Sequence, residues 1–346
     1  MGCTESQDSA VKIRKGGQAM KIRTIWTLAL IVLIAGACQR RDFAESITDV
    51  NLVLKVNTQI ANAGEVPMPE TMRVDLYDTE TGKLKYTDYV GPTGGYIHPN
   101  AGLYDLVVYS IGTESTQIRN ENDFNQIEAF TSNVSAFLKG QLAKFLASVA
   151  KSKAERTQTK APVEENVVYE PDHLFVGMAH GINIPIRYEG EDDLELVIEV
   201  DAHTVVETWR VSVTNIIGLE HVRDVVALMS GQAESHFIGK EEKSDKSVSV
   251  FFEMYKDMEN NALVGRFNTF GKHPSEISFL DFDINVTDTG GEEHHFHFDV
   301  DSQFMDNPDN HIKVVEQIEV EEPKSGGGGF YPSVEDWENV NTDIIL

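Results

Sequence analysis

The stretch Ser247-Val248-Ser249-Val250-Phe251-Phe252-Glu253-Met254 sets Val248, Val250, Phe252 and Met254 on one side of an extended chain. A repeat of two residues is the signature of a half-buried β-strand, because successive side chains of a strand point to opposite faces. The same repeat runs outward in both directions. Toward the C-terminus, Leu263, Gly265, Phe267 and Thr269 share a face, and His294, Phe296, Phe298 and Val300 share another, before a strand over His311–Val320. Toward the N-terminus, Val205, Trp209, Val211 and Val213 line up, and residues 194–200 alternate as well. Earlier still come Leu52, Leu54 and Val56, then Met72, Val74 and Leu76, then the β-branched and aromatic run Leu103–Tyr109. Short strands separated by turn-rich connectors, such as Gly94–Gly102, predict an all-β protein built of sandwiches.

One segment breaks the pattern. Val134, Phe137, Leu138, Leu142, Phe145, Leu146 and Val149 recur every three or four residues, which predicts a single amphipathic helix packed on the first sandwich. The polar run that follows, ending in Pro162, reads as a linker over residues 151–163. The expected organisation is therefore an N-terminal sandwich with its helix over 38–150 and a C-terminal sandwich over 164–323. A glycine hinge and tail over 324–346 complete it.

The 346-residue chain carries 56 acidic and 29 basic side chains, a formal charge of −27. The N-terminal 37 residues run against this trend, with Lys12, Arg14, Lys15, Lys21 and Arg23 against Glu5 and Asp8, so the body is the acidic part. Such a body repels nucleic-acid phosphates and anionic lipid headgroups, which excludes nucleic-acid partners. The two cysteines, Cys3 and Cys38, both precede the body, leaving it no disulfide, zinc thiolate or cysteine nucleophile.

Met20, Lys21 and Arg23 precede the apolar run Ile25–Ala37, the order of a secretory signal, and the run is too short to span a bilayer. It ends in Ala35-Gly36-Ala37-Cys38, which resembles a bacterial lipobox. On this reading residues 20–37 are a lipoprotein signal peptide, and Cys38 is acylated and becomes the mature N-terminus. Residues 1–19 are then an upstream extension of the true start at Met20.

His295, His297 and Asp299 share one face of a strand and could hold a metal, yet their face is wholly polar, and a solvated strand face is the expectation. Asp306, Asn307, Asp309 and Asn310 lack the spacing of a calcium loop and read as an Asx-rich turn. Serine-hydrolase elbows, zinc-protease helices and phosphate-binding glycine loops do not occur in the sequence. No catalytic residue, metal or cofactor is expected, and the protein reads as non-enzymatic.

The lipobox and paired β-domains occur with Gly102-Leu103-Tyr104, Glu114–Ile118 leading to Phe130-Thr131, and Glu170–Gly177. Ile217–Val222 with Leu228–Gly231, Thr269-Phe270-Gly271, and a tail from Gly328-Gly329-Phe330 through Trp337-Glu338 follow in that order. Together they resemble the fimbrillin-associated anchor and accessory lipoproteins of Bacteroidetes and a related family of unknown function. That resemblance implies two transthyretin-like sandwiches and a lipid-anchored pilus subunit of the outer membrane, facing the cell surface. It implies fimbrillin-like pilus subunits as partners, joined by β-strand complementation of the type V pilus kind. The tail residues Phe330, Val334, Trp337, Val340, Ile344 and Leu346 are the candidate donor strand, with pairing inside their own domain as the equal alternative. The alternative function is a surface lipoprotein that binds a glycan or another extracellular ligand. A stalk subunit would be cut by an arginine-specific protease after its first strand, and no arginine lies between Asn51 and Met72, which favours an anchor or accessory subunit.

Overall fold

The computed structural model describes residues 49–158, 165–186, 196–274, 279–304 and 307–323. In chain order the first part holds β1 (Val50–Val56), the short hairpin β2 (Gln59–Ile60) and β3 (Gly64–Glu65), β4 (Met72–Asp78), β5 (Leu84–Val90), β6 (Gly94–Ile97), β7 (Gly102–Ser110), β8 (Thr116–Arg119) and β9 (Glu128–Thr131). Helices α1 (Ala136–Gln141) and α2 (Ala143–Arg156) follow, then β10 (Asn166–Tyr169), β11 (Phe175–Ile184), β12 (Leu196–Thr204), β13 (Glu207–Thr214), β14 (Ile216–Ile217), β15 (Val222–Ala233), β16 (Ser235–Phe237) and β17 (Glu242–Lys243). The last strands are β18 (Ser247–Asp257), β19 (Ala262–Thr269), β20 (Asp281–Asp288), β21 (Glu293–Asp299), β22 (His311–Val314) and β23 (Ile318–Glu319).

Two large sheets carry the architecture. The first is seven-stranded, β5-β4-β7-β11-β12-β1-β6. Its inward faces gather Val50, Leu52 and Leu54 of β1, Met72, Val74 and Leu76 of β4, and Leu106 and Val108 of β7 into one core. The second, in the order β21-β20-β15-β18-β19-β13-β22, buries Trp209, Val211, Val213, Val248, Val250, Phe252, Met254, Leu263 and Phe267. These are the faces that the period-two reading selects. Phe252 stacks on Phe267 with ring centroids 4.9 Å apart, which fixes β18 against β19 from inside the core.

The expected domain boundary is not where the sheets divide. Strands β11 and β12 come from the segment assigned to the C-terminal sandwich, yet they complete the first sheet: β11 pairs with β7, and β12 runs parallel to β1 from Val50↔Leu196 to Val56↔Ala202. Conversely β9 joins β16 in a four-stranded sheet that also holds β8 and β17. Ala129 of β9 and the flanking Ile127 and Ile238 pack with Tyr77, Val107 and Val176 on the outer side of the first sheet. Alternation states which face of a strand is buried, but not which strand lies beside it.

The helix is also placed differently. It breaks at Leu142 into α1 and α2, with Ser135 Oγ accepting the Leu138 N–H as N-cap. Val134, Leu142, Phe145 and Val149 pack on Val167 of β10 and Leu228 of β15, so the helix covers the second sheet rather than the first. Helix α2 runs on to Arg156, which places Lys153 and Arg156 of the expected linker in its last turn. Cations there complement the helix dipole, Lys153 held by Glu165 just before β10 and Arg156 by Asp281 of β20.

Candidate functional site

Cys38 and the tail residues Phe330, Val334, Trp337, Val340, Ile344 and Leu346 lie outside the described residues. The described part of the chain contributes two features that bear on function: the first strand and the polar face beneath helix α2.

Strand β1 is an interior strand of its sheet, hydrogen-bonded to β12 on one side and to β6 on the other. On the β6 side, Gly94 takes φ +102°, and a Cβ built there would lie 1.8 Å from the Leu52 carbonyl oxygen, so glycine is required for the two backbones to approach. The first arginine after β1 is Arg73, which sits within β4 and pairs with Asp75 at 3.0 Å and Glu121 at 2.8 Å.

The face of β21 that carries His295, His297 and Asp299 is only partly solvated: Asp299 is exposed, whereas His295 and His297 are largely covered. Opposite it, β20 alternates Phe282, Ile284 and Val286 inward with Asp281, Asp283 and Asn285 outward, and α2 lies over this outer face. Phe145 of the helix meets the His295 ring edge-on at 5.5 Å. Asp283 has no solvent exposure, and its Oδ1 lies 2.9 Å from His295 Nε2 and 2.8 Å from His297 Nδ1. Two residues apart on one strand, the imidazoles flank a carboxylate from the next, because the hairpin register sets Asp283 opposite His297. Asp299 is turned away, toward Arg156 Nη2 at 2.7 Å. Arg156 also grips Asp281 through Nη1 and Asp301 at 2.5 Å, while Lys153 bonds Glu165 at 2.5 Å.

The geometry is that of an ion network. Burial opposes the ionised form of Asp283, yet hydrogen bonds from His295 and His297 outweigh it and hold the carboxyl below its usual range. The Asp283 hydrogen bond raises His297, helped by the charges of Asp283 and Asp281 and opposed by burial and Arg156. Sequence reasoning singles out His295 and His297 but neither Asp283 nor Arg156. The signal was present in the alternation Asp281-Phe282-Asp283-Ile284-Asn285, a strand whose polar side is acidic.

A pH dependence follows with a definite sign. A histidine raised by folding stabilises fully below its unfolded value of about 6.5 and loses that contribution as pH rises through its folded value. A depressed aspartate contributes above about 3.9 and loses it as pH falls through its folded value. His297→Gln is therefore expected to lower the melting temperature most at pH 5 to 6 and least above pH 8. A loss that grows toward pH 8 would contradict this network.

Among the described residues, Asp288, Glu292 and His294 bring one ligand atom each within 4.8 Å of one another. Both Asp288 oxygens are already engaged, Oδ1 by the Glu292 N–H at 2.8 Å and Oδ2 beside His294 Nε2 at 3.4 Å. The group closes the β20–β21 hairpin, whose turn uses Gly291 at φ +87°. In the Asx-rich turn, Asn307 Nδ2 donates to the carbonyls of Gln303 and His311, the local role expected of such residues.

Comparison with known proteins places this fold. A family model described as a domain of unknown function, DUF5119, matches residues 37–253. The chain belongs to the DUF5119 family. This DUF5119 chain is 24% identical over 345 residues to Fim4B of Bacteroides ovatus, a candidate fimbrium anchoring subunit, with 90% of this chain and 93% of the relative covered. The crystal structure of a candidate adhesin from Bacteroides ovatus overlays with a TM-score of 0.59 at 22% identity, covering 83% of this chain and 98% of the other. The two share a fold. The fimbrial anchor protein Mfa2 of Porphyromonas gingivalis overlays more loosely, with a TM-score of 0.46 at 14% identity, covering 78% of this chain and 90% of the other.

Proposed function

We propose that this protein is a non-enzymatic anchor or accessory subunit of a surface fimbrium, held in the outer membrane by lipid on Cys38. The observation that carries the reading is the match to Fim4B along nearly the whole of both chains. Two features of the molecule support an anchor over a stalk subunit. Strand β1 is built into the first sheet on both edges, and the first arginine beyond it is held in β4 by two carboxylates. An arginine-specific protease thus meets no open site between the first strand and the rest. Removing β1 would leave a groove lined by the partners of Val50, Leu52 and Leu54, so a retained β1 gives a subunit that accepts no donor in this sheet.

The donor, on this reading, is the tail. Phe330, Val334, Trp337, Val340, Ile344 and Leu346 would enter the groove of a fimbrillin-like neighbour, with backbone pairing for affinity and apolar side chains in pockets for register. The acidic body needs no basic membrane face because the lipid alone holds it.

The test has two arms in the full chain. Cys38→Ser is expected to move the protein from the membrane fraction to the soluble fraction, and unchanged fractionation defeats the lipid anchor. Deletion of Phe330–Leu346 is expected to leave membrane attachment intact and to abolish co-purification with the fimbrial subunit. Undiminished co-purification defeats strand donation by the tail.

A further inference from the structure

A second cleft lies away from the helix-covered face. It opens between the outward side of β13, β18 and β19 and the β2–β3 hairpin, with a cavity volume of about 1110 Å³. The hairpin is strapped across it. Asn62 Nδ2 donates to the carbonyls of Asp309, at 2.5 Å, and Asn310, at 3.2 Å, while Arg266 Nη1 donates to the Asn62 carbonyl at 3.3 Å. The rear wall is fixed by its own hydrogen bonds. The Asn268 N–H donates to Glu170 Oε2 at 2.8 Å, Thr208 Oγ1 to Asn268 Oδ1 at 2.7 Å, and His173 Nε2 lies 3.2 Å from Thr208 Oγ1.

The floor carries two guanidinium groups and an imidazole in one row. Arg210 of β13 stands in register with Arg266 of β19 on one side and with His311 of β22 on the other, and all three line the cleft. Like charges directly opposite one another across strands destabilise a sheet. Here the repulsion persists in a chain with 56 acidic side chains to draw on. Among the described residues the Arg210 guanidinium makes no hydrogen bond or ion pair. Burial, with the charges of Arg210 and Lys313 and against that of Asp309, holds His311 below its usual range, so the two guanidinium groups carry the charge of the row. Two carboxylates also line the cleft, Glu253 and Glu170, and burial pushes Glu170 up to about 7.

The row fits an anion, and its surroundings narrow the kind. Tyr255, 64% exposed, projects from β18 beside Glu253, which supplies a ring face and an acceptor next to the guanidinium groups. The free edge at this end of the sheet is β22, outside the strands that carry Arg210 and Arg266. Strand β13 is flanked by β19 and β22, and β19 by β13 and β18, so the backbone groups needed for strand addition are spent inside the sheet. Recognition at Arg210 and Arg266 therefore comes from side chains, and the cleft offers guanidinium, carboxylate, amide and aromatic groups.

We propose that this cleft binds an acidic saccharide, with its anionic group against Arg210 and Arg266 and a sugar ring on Tyr255. Titration calorimetry of the full chain with trigalacturonic acid, its neutral trigalactose counterpart and a ten-residue Glu/Asp peptide tests it. Binding is expected for the acidic sugar, at least about ten-fold weaker for the other two, and about ten-fold weaker for Arg210→Gln. A chondroitin sulfate tetrasaccharide separates a sulfate-bearing source of the anion from a carboxylate-bearing one. Failure of both acidic sugars to bind, or equal binding of the neutral sugar or the peptide, overturns the proposal. Arg210→Gln also relieves the like-charge row, so it is expected to raise the melting temperature while it weakens binding. A variant that melts lower and binds as before overturns the reading of Arg210 as a ligand residue.

Discussion

Arg156→Ala is expected to lower the unfolding free energy by about 3–5 kcal/mol. The guanidinium is 14% exposed and contacts three carboxylates, of which Asp281 is 1% exposed. It also lies 4.9 Å over the Phe279 ring and donates to the Leu280 carbonyl at 3.4 Å. Truncation removes the guanidinium that pairs with Asp281 and leaves that buried carboxylate only the His297 imidazole, 3.8 Å away, as a partner. The cost is therefore desolvation of a stranded ion, which is larger than the net worth of the pair itself. Two consequences separate this account from a loss of packing. Arg156→Lys should recover only part of the stability, because one ammonium cannot address three carboxylates in the planar fork that arginine provides. Adding Asp281→Asn to Arg156→Ala should restore much of the loss, because the stranded charge is then gone. Urea titrations of the four proteins measure this. A loss under about 1 kcal/mol would put Arg156 among ordinary surface pairs.

Leu52→Ala is expected to cost about 2–5 kcal/mol, the range for emptying a leucine site in a packed core. Leu52 is 1% exposed in the middle of β1, between Val50 at 0% and Leu54 at 5%. Its neighbours come from distant parts of the chain: β1 is bonded to β12, some 150 residues later, and to β6. The loss should therefore be read by the whole first sheet. Limited proteolysis with a lysine-specific enzyme should cut Leu52→Ala at Lys55 well before the parent protein. If Leu52→Ala unfolds at the urea concentration of the parent, β1 is not integral to the sheet, and the anchor reading loses one of its supports.

Strand faces were legible in the sequence because burial on one side of a sheet writes itself as a repeat of two. Val248, Val250, Phe252 and Met254 carry that signal without reference to any partner, and all four are buried. Helix existence was legible for the same reason at a different period. Partnership was not. Nothing local in Phe175–Ile184 or Leu196–Thr204 tells that these strands close the first sheet instead of opening a second domain, since the alternation is identical in either position. The polar strand face at His295, His297 and Asp299 was misread for a related reason. A row of charged side chains looks solvated until its counter-charges arrive from elsewhere, here Arg156 on a helix and Asp283 on the neighbouring strand.

By itself, then, the sequence determined an all-β protein with one helical segment, an acidic body without cysteine chemistry, and the inward side of most strands. These properties depend on each residue's own chemistry and on spacing along one element. Only the tertiary structure decided that β1 is an interior strand, that the helix lies on the second sheet, and that Arg210, Arg266 and His311 form one row. Those facts depend on which segments, far apart in the chain, are hydrogen-bonded side by side, and the free energy that selects among such pairings is shared over the whole core.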